Sequence, residues 1–155
     1  MTETTSQAPA LVITRTIGAP RELVFAAFTD ARHLREWWGP ENFTTPDAGA
    51  DARPGGAMRL DMHSPDGTVY RGGGTYHELE PPSRLVFSTT ILSDAGAELA
   101  EIRNTISLVE RNGKTELTLS VRIVFADPSV AHHLAGMEEG WKSSLVCHAN
   151  YLERK

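Results

Sequence analysis

Six histidines, one cysteine and a pair of serines carry the most reactive atoms of this chain, and their spacing limits what they can do. His33, His63, His77, His132, His133 and His148 are scattered. None stands at the i, i+4 or finger spacing that holds a metal, so neither a metal nor any other cofactor is expected. Ser143-Ser144 and Cys147-His148 fall on a stretch that reads as helix, where adjacent side chains point to different sides. A nucleophile needs its base within hydrogen-bond reach, and adjacency on a helix does not give that. Cys147 is therefore expected to be a small, buried or half-buried residue. Gly72-Gly73-Gly74 lacks the strand-to-helix context of a phosphate loop. Asp61, Glu78 and Glu80 are candidate acids at a pocket rim with nothing to pair them. His132-His133 and Glu138-Glu139 read as solvated helix flanks. No catalytic residue is assigned. Of the uncharged polar groups left over, Asn104 with a hydroxyl of Tyr70 or Tyr76 is suited to orienting a ligand, and Thr89 is near Asn104.

The elements that must position these groups follow from periodicity. Asp127-Pro128 supplies an N-cap oxygen and then a proline at the first helical position. Apolar residues recur at Val130, Leu134, Met137, Trp141, Leu145 and Leu152. Those spacings predict one helix of roughly 25 residues at ~1.5 Å rise each, with one apolar stripe. Upstream, Leu11–Ile17 reads as a strand, with Arg15 either at its edge or aimed inward. Pro20 opens a helix with Leu23, Val24, Ala27 and Phe28 on its apolar face, and Asp30 caps a second, short helix carrying Leu34, Trp37 and Trp38. Asn42 to Ala50 reads as weak strand around Phe43, and Arg53-Pro54-Gly55-Gly56 as a turn.

From Met58 to Phe125 the pattern is β. Ser64-Pro65-Asp66-Gly67, Pro81-Pro82 and Asn112-Gly113 are turn signals that fix three hairpin registers. They place Met62 opposite Tyr70, Leu60 opposite Gly72 and Met58 opposite Gly74. They also place Tyr76 opposite Phe87, Gly74 opposite Thr89 and Gly72 opposite Ile91. In the last hairpin Leu108 meets Leu117, Ile106 meets Leu119, Asn104 meets Val121 and Ile102 meets Ile123. Each register puts large apolar residues together on one face, and a slip by one residue would send them to solvent. A bulge within Gly72-Gly73-Gly74 is the point at which parity could change.

Strand, two helices, about six antiparallel strands and a long helix make an α+β chain. A sheet this long twists and curls, and the terminal helix fills its hollow. Gly72 and Gly74 supply no side chain to that hollow, and Asn104 brings an amide into it. A cavity holding water or a polar ligand atom would satisfy the amide; the alternative is that Asn104 bonds to backbone at a bulge and the glycines are bulge residues. A dry void of ~300 Å³ would cost on the order of 7 kcal/mol, which rivals the stability of a whole domain. A large hollow is therefore wet, occupied or partly collapsed. Met58, Met62 and Met137 suit a wall that repacks. Trp141 and one of Trp37 and Trp38 are expected to line or close its mouth.

Composition narrows the class further. Fifteen basic against twenty acidic residues give a net charge of −5, with no run of Lys or Arg, which argues against nucleic acid as a partner. No apolar run approaches the ~18 residues of a membrane span. The polar Met1–Pro9 segment lacks the apolar core of a signal peptide and is expected to be disordered. A single cysteine makes no internal disulfide and fits a reducing compartment. Residues 10–155 are expected to form one cytoplasmic domain, monomeric or weakly dimeric.

Several segments together resemble a known family. They are Ala19-Pro20-Arg21-Glu22-Leu23-Val24-Phe25, Thr29-Asp30, Trp37-Trp38-Gly39-Pro40, Pro54-Gly55-Gly56, Pro65-Asp66-Gly67, Glu80-Pro81-Pro82-Ser83-Arg84-Leu85-Val86-Phe87 and Glu139-Gly140-Trp141. In this order, over about residues 10–153, they resemble the activator-of-heat-shock-protein-90-ATPase homologue domain of the START-like, SRPBCC superfamily. The resemblance implies the helix-grip fold shared with the birch pollen allergen: a curved antiparallel sheet of about seven strands around a long C-terminal helix, in the order β-α-α-β6-α, with a hydrophobic cavity beneath the helix. The co-chaperone that names the family carries a further N-terminal domain for engaging the chaperone, and this chain is expected to lack it. Other members of the superfamily carry lipids, bind hormones, or cyclise and dehydrate polyketides, so fold alone does not assign function.

Three functional expectations follow. The first is a non-enzymatic binder of a small, mostly hydrophobic molecule between sheet and helix. Its walls would be Trp38, Phe43, Met58, Leu60, Met62, Tyr70, Tyr76, Phe87, Thr89, Ile106, Val121, Met137, Trp141 and Leu145, with Asn104 orienting the ligand. The second is a cyclase-, dehydratase- or hydrolase-like enzyme using Tyr70, Tyr76 or Asn104 in the same cavity. The third is a chaperone-interaction module using the rim.

Overall fold

A computed structural model describes residues 9–154. Most of the segment expected to be disordered, and Lys155, lie outside the described residues. Strand β1 (Leu11–Ile17) buries Leu11, Ile13 and Ile17 and exposes the residues between them, apart from half-buried Arg15. Helix α1 (Arg21–Thr29) follows, with Pro20 in extended conformation as its flanking residue and not, as expected, inside the first turn. Asp30 then caps α2 (Ala31–Trp37), its carboxylate accepting from the Arg32 backbone N–H at 2.9 Å. The Asn42–Ala50 stretch forms less strand than its composition suggests. Only β2 (Gly49–Ala50) and a single bridge from Thr44 to His63 are present.

The alternating Met58–His63 run is split into β3 (Ala57–Arg59) and β4 (Met62–His63). Strand β4 pairs with β5 (Val69–Tyr70) as a small separate hairpin, Met62 facing Tyr70. Strands β6 (Gly72–Glu80), β7 (Arg84–Leu92), β8 (Glu98–Arg111) and β9 (Lys114–Ala126) complete the main sheet. It has seven strands in the order β1-β9-β8-β7-β6-β3-β2, all neighbours antiparallel. The turn-derived pairs Met58–Gly74, Tyr76–Phe87, Gly74–Thr89, Gly72–Ile91, Ile106–Leu119 and Asn104–Val121 are all present, and the Leu60 N–H donates to the Gly72 carbonyl. The irregularity in β6 falls between Tyr76 and Glu78, beyond the glycines, so the inward parity of Gly72 and Gly74 is kept.

Asp127 caps the C-terminal segment as expected, accepting from the Ser129 N–H at 2.9 Å, with Pro128 in the first turn. The single long helix is not formed. A 3₁₀ turn (Pro128–Val130), a short α3 (Ala131–Ala135) and α4 (Met137–Glu153) replace it, with the break at Gly136. Glycine is the residue that gains least from continuing a helix, and α3 buries no side chain that would hold it in line. Helix α4 buries Ser144, Leu145, His148, Tyr151 and Leu152 against the sheet and against α1 and α2.

One end of the concave face is packed solid by side chains from the helices. Phe28 of α1 meets Trp37 edge to face at 5.1 Å, and both meet the ring of His148, at 4.8 and 4.7 Å. The Trp37 indole N–H donates to the Ala27 carbonyl at 2.8 Å, and the Tyr76 hydroxyl to the Phe28 carbonyl at 2.8 Å. The core is therefore closed at the α1–α2 end, and the other end is left to α4, α3 and the β4–β5 hairpin.

Candidate functional site

A cleft of about 590 Å³ occupies that second end, between the inner face of the sheet and the broken helix. Its position follows from where the chain lacks side chains. Gly72 and Gly73 form part of its wall, and neither has room for a Cβ free of close contact: one added there would lie 3.1 Å from the Leu60 carbonyl oxygen or 3.0 Å from that of Met58. A larger residue at either position would require the neighbouring backbone to give by a few tenths of an ångström. Trp38, just past the end of α2, and Trp141, on α4, stand edge to face at 5.7 Å and 80° and both line the cleft. Trp38 is fixed by its backbone carbonyl, which accepts from the Thr45 hydroxyl at 2.7 Å, and the following loop is tied to α4 by the Glu41 N–H donating to Ser143 Oγ at 2.9 Å. Ile91, Leu92, Leu99 and Ile102 supply the sheet side and Val130, Leu134 and Met137 the helix side.

Tyr70 and His133 approach each other from the hairpin and from α3, their rings 6.1 Å apart, and both line the cleft. His133 is thus not the solvated flank expected of it. Burial, with His132 beside it, pushes its imidazole below the ordinary value. Tyr70 remains 39% exposed, which places this contact at the mouth.

Of the residues expected to form the wall, Trp38, Leu60, Met62, Tyr70, Thr89, Met137 and Trp141 line the cleft. The other eight lie outside its lining. Phe43 packs against Tyr70 with ring centroids 6.0 Å apart, and Met58 sits in the core opposite Gly74. Tyr76, Phe87, Ile106, Val121 and Leu145 are buried in the solid end, which α1, α2 and His148 fill. Asn104 is fully buried one layer behind the wall: its Nδ2 lies 3.3 Å from Thr89 Oγ1, 3.3 Å from the Phe87 carbonyl and 3.5 Å from the Ile102 carbonyl. Its Oδ1 has no hydrogen-bond partner. The expected wall left out Ile91, Leu92, Leu99, Ile102, Val130, His133, Leu134 and Ser144, all of which line the cleft. Ile102 was legible as an inward residue of β8, whereas Ser144 carries no apolar signal.

Asp61 and Glu78 of the candidate acids are engaged structurally, Glu80 is exposed, and the two acids of α4 are paired as well. Asp61 accepts from the Gly72 N–H at 3.2 Å and pairs with Arg59 at 3.0 Å; Glu78 pairs with Arg84; Glu138 and Glu139 pair with Lys142 at 3.0 and 3.7 Å. Burial, and Glu41 beside it, push the Cys147 thiol up, away from thiolate chemistry. On the opposite face of the sheet His77, Ser88 and Glu101 form a chain, with 2.7 Å from His77 Nε2 to Ser88 Oγ and 2.9 Å from Ser88 Oγ to Glu101 Oε2. The serine proton goes to the carboxylate, so the imidazole donates to the hydroxyl and cannot act as its base. Ser88 is also only 2% exposed. Among the described residues no three His, Cys, Asp or Glu side chains are grouped to hold a metal, and no helix is long and apolar enough to cross a membrane.

Comparison with known proteins places this geometry. The AHSA1 protein from Silicibacter pomeroyi is 28% identical, with a TM-score of 0.77 over 92% of this chain and 96% of that one. A protein from Arthrobacter aurescens is 26% identical, with a TM-score of 0.79 over 93% and 86%. A protein from Chromobacterium violaceum is 26% identical, with a TM-score of 0.77 over 92% and 96%. A search of curated protein sequences gave no significant match. The family model for Activator of Hsp90 ATPase homolog 1-like protein matches residues 18–153, which takes in every element after β1, to the end of α4, and the chain belongs to that family.

Proposed function

We propose that the protein binds a small, mostly apolar molecule in the cleft between the sheet and the broken C-terminal helix, without transforming it. The observation that carries this reading is the cleft of about 590 Å³ bounded by Trp38, Trp141 and aliphatic side chains. That volume lies within the ~300–1,000 Å³ typical of small-molecule sites. Aromatic rings set edge to face give a flat guest large contact area at fixed geometry. Among the described residues no serine of the lining is hydrogen-bonded to a histidine, which favours binding over catalysis. On this reading residues 10–155 act as one domain, alone or as a weak dimer, in a reducing compartment such as the cytoplasm.

N-phenyl-1-naphthylamine, an uncharged apolar fluorophore, tests the reading. It should bind one site per chain and quench tryptophan emission by energy transfer. Trp141→Ala should weaken it by about tenfold or more, the loss of one large contacting side chain being worth at least ~1.5 kcal/mol. A urea titration of the variant separates lost contact from lost fold. Saturating probe that leaves the emission of all three tryptophans unaltered would rule the cleft out.

A further inference from the structure

The cleft has one polar feature that the fold holds in a fixed orientation. Asn104 is fully buried, and its Nδ2 faces two carbonyl oxygens, those of Phe87 and Ile102, together with the Thr89 hydroxyl. Turning the amide over would set Oδ1 against both carbonyls, so its orientation is determined by electrostatics. Thr89 Oγ1 therefore receives an N–H from behind. Its own proton has no acceptor among the described residues, and Thr89 lines the cleft. Its cross-strand neighbour on β6 is Gly74, which contributes no side chain to cover it. A hydroxyl that accepts one hydrogen bond becomes a better donor of the next.

The charged residues of the lining stand elsewhere. Asp94 lies in the turn beyond the end of β7, five positions along the chain from Thr89, and Arg71 is held there by its bond to the Asp94 carbonyl at 3.1 Å. The inner end of the cleft thus offers a donor and no charge.

Building on the binding reading above, we infer that Thr89 is the polar anchor of the cleft. The guest is a flat, conjugated molecule whose inner end carries an uncharged oxygen acceptor, a carbonyl or an ether, and not a carboxylate. Asn104 is a positioning residue that orients the Thr89 hydroxyl.

Fluorene, 9-fluorenone and fluorene-9-carboxylate share one ring system and differ in the group carried at its ninth carbon. Their affinities by equilibrium dialysis, with wild type, Thr89→Val and Thr89→Ser, test the assignment. Valine keeps the shape and removes the hydroxyl, while Asn104 retains its two carbonyl acceptors. Fluorenone should bind wild type more tightly than the carboxylate does. Thr89→Val should weaken fluorenone about tenfold and leave fluorene within about twofold, and Thr89→Ser should restore fluorenone. Equal effects of Thr89→Val on fluorene and fluorenone would overturn the anchor while leaving binding in the cleft intact. Failure of all three probes to bind wild type would overturn both.

Discussion

Acidification from pH 7 to pH 5 should cost the folded protein about 2 kcal/mol through His148 alone. This side chain is fully buried between Phe28 and Trp37, and its ring nitrogens make no hydrogen bond of good geometry, the Val24 backbone interacting only weakly. Burial pushes its pKa from 6.5 down to about 3, offset in small part by the Val24 backbone. The neutral imidazole therefore persists in the fold where the unfolded chain takes up a proton. Stability from this source is fully present above pH 6.5. It falls steadily as pH drops through the window down to about 3, because there the unfolded state binds more protons. His77 and His133, also depressed by burial, act in the same direction. Asp30 and Asp66, lowered from 3.8 to about 2 chiefly by hydrogen bonds from Arg32 and Ser64, lose their contribution between those two values as the unfolded carboxylates take up protons first, a window that overlaps only the acid end of that of His148. Urea midpoints measured from pH 5 to pH 8 test this directly. His148→Leu removes two poorly satisfied nitrogens from an aromatic cluster, so it should keep or raise stability at pH 7 and flatten most of the acid loss. An undiminished pH 5 loss in that variant would clear His148 of the role.

Gly74→Ala should destabilise the protein by about 3 kcal/mol or more, the upper end of the range for overpacking a core. A Cβ at this position would lie 2.1 Å from the Ser88 carbonyl oxygen, with Met58 Sδ at 3.4 Å on its other side. The first contact is with backbone in the middle of the sheet, so relief requires β7 to shift at Ser88, next to Thr89. Loss of the cleft's wall geometry should accompany the loss in urea midpoint, seen as weakened N-phenyl-1-naphthylamine binding. Gly140→Ala is the natural control. Nothing lies within 4 Å of a Cβ there, and alanine in a helix interior gains up to ~1 kcal/mol over glycine. If Gly74→Ala and Gly140→Ala shifted the midpoint equally, the close approach at Gly74 would not be real.

The sheet was legible because its turns are chemically explicit. Asn112-Gly113 and Ser64-Pro65-Asp66-Gly67 fix which residues face each other, and period-two alternation does the rest. The bulge at His77 was not legible, since nothing in Tyr76-His77-Glu78 differs in composition from a regular strand. The break at Gly136 was hidden for the opposite reason: the apolar stripe runs through it in step, and periodicity reports a face without reporting continuity. His148 fell between Leu145 and Leu152 on that same stripe, at the spacing of three and four that a core position requires, and its polarity masked it. The cleft lining was half legible. Alternation says that Tyr76, Phe87, Asn104, Ile106 and Val121 face inward with Leu60, Tyr70 and Thr89. It does not say how far along each strand Phe28, Trp37 and His148 pack before space opens.

The bend at Gly136 divides labour along the last part of the chain. Helix α4 holds five buried side chains and answers to the core, whereas α3, which overhangs the opening, holds none. Substitutions in Ala131–Ala135 therefore reach the core only through half-buried His133 and Leu134. On the binding reading, this short overhang is where the choice of guest can change at the smallest thermodynamic penalty to the scaffold beneath it.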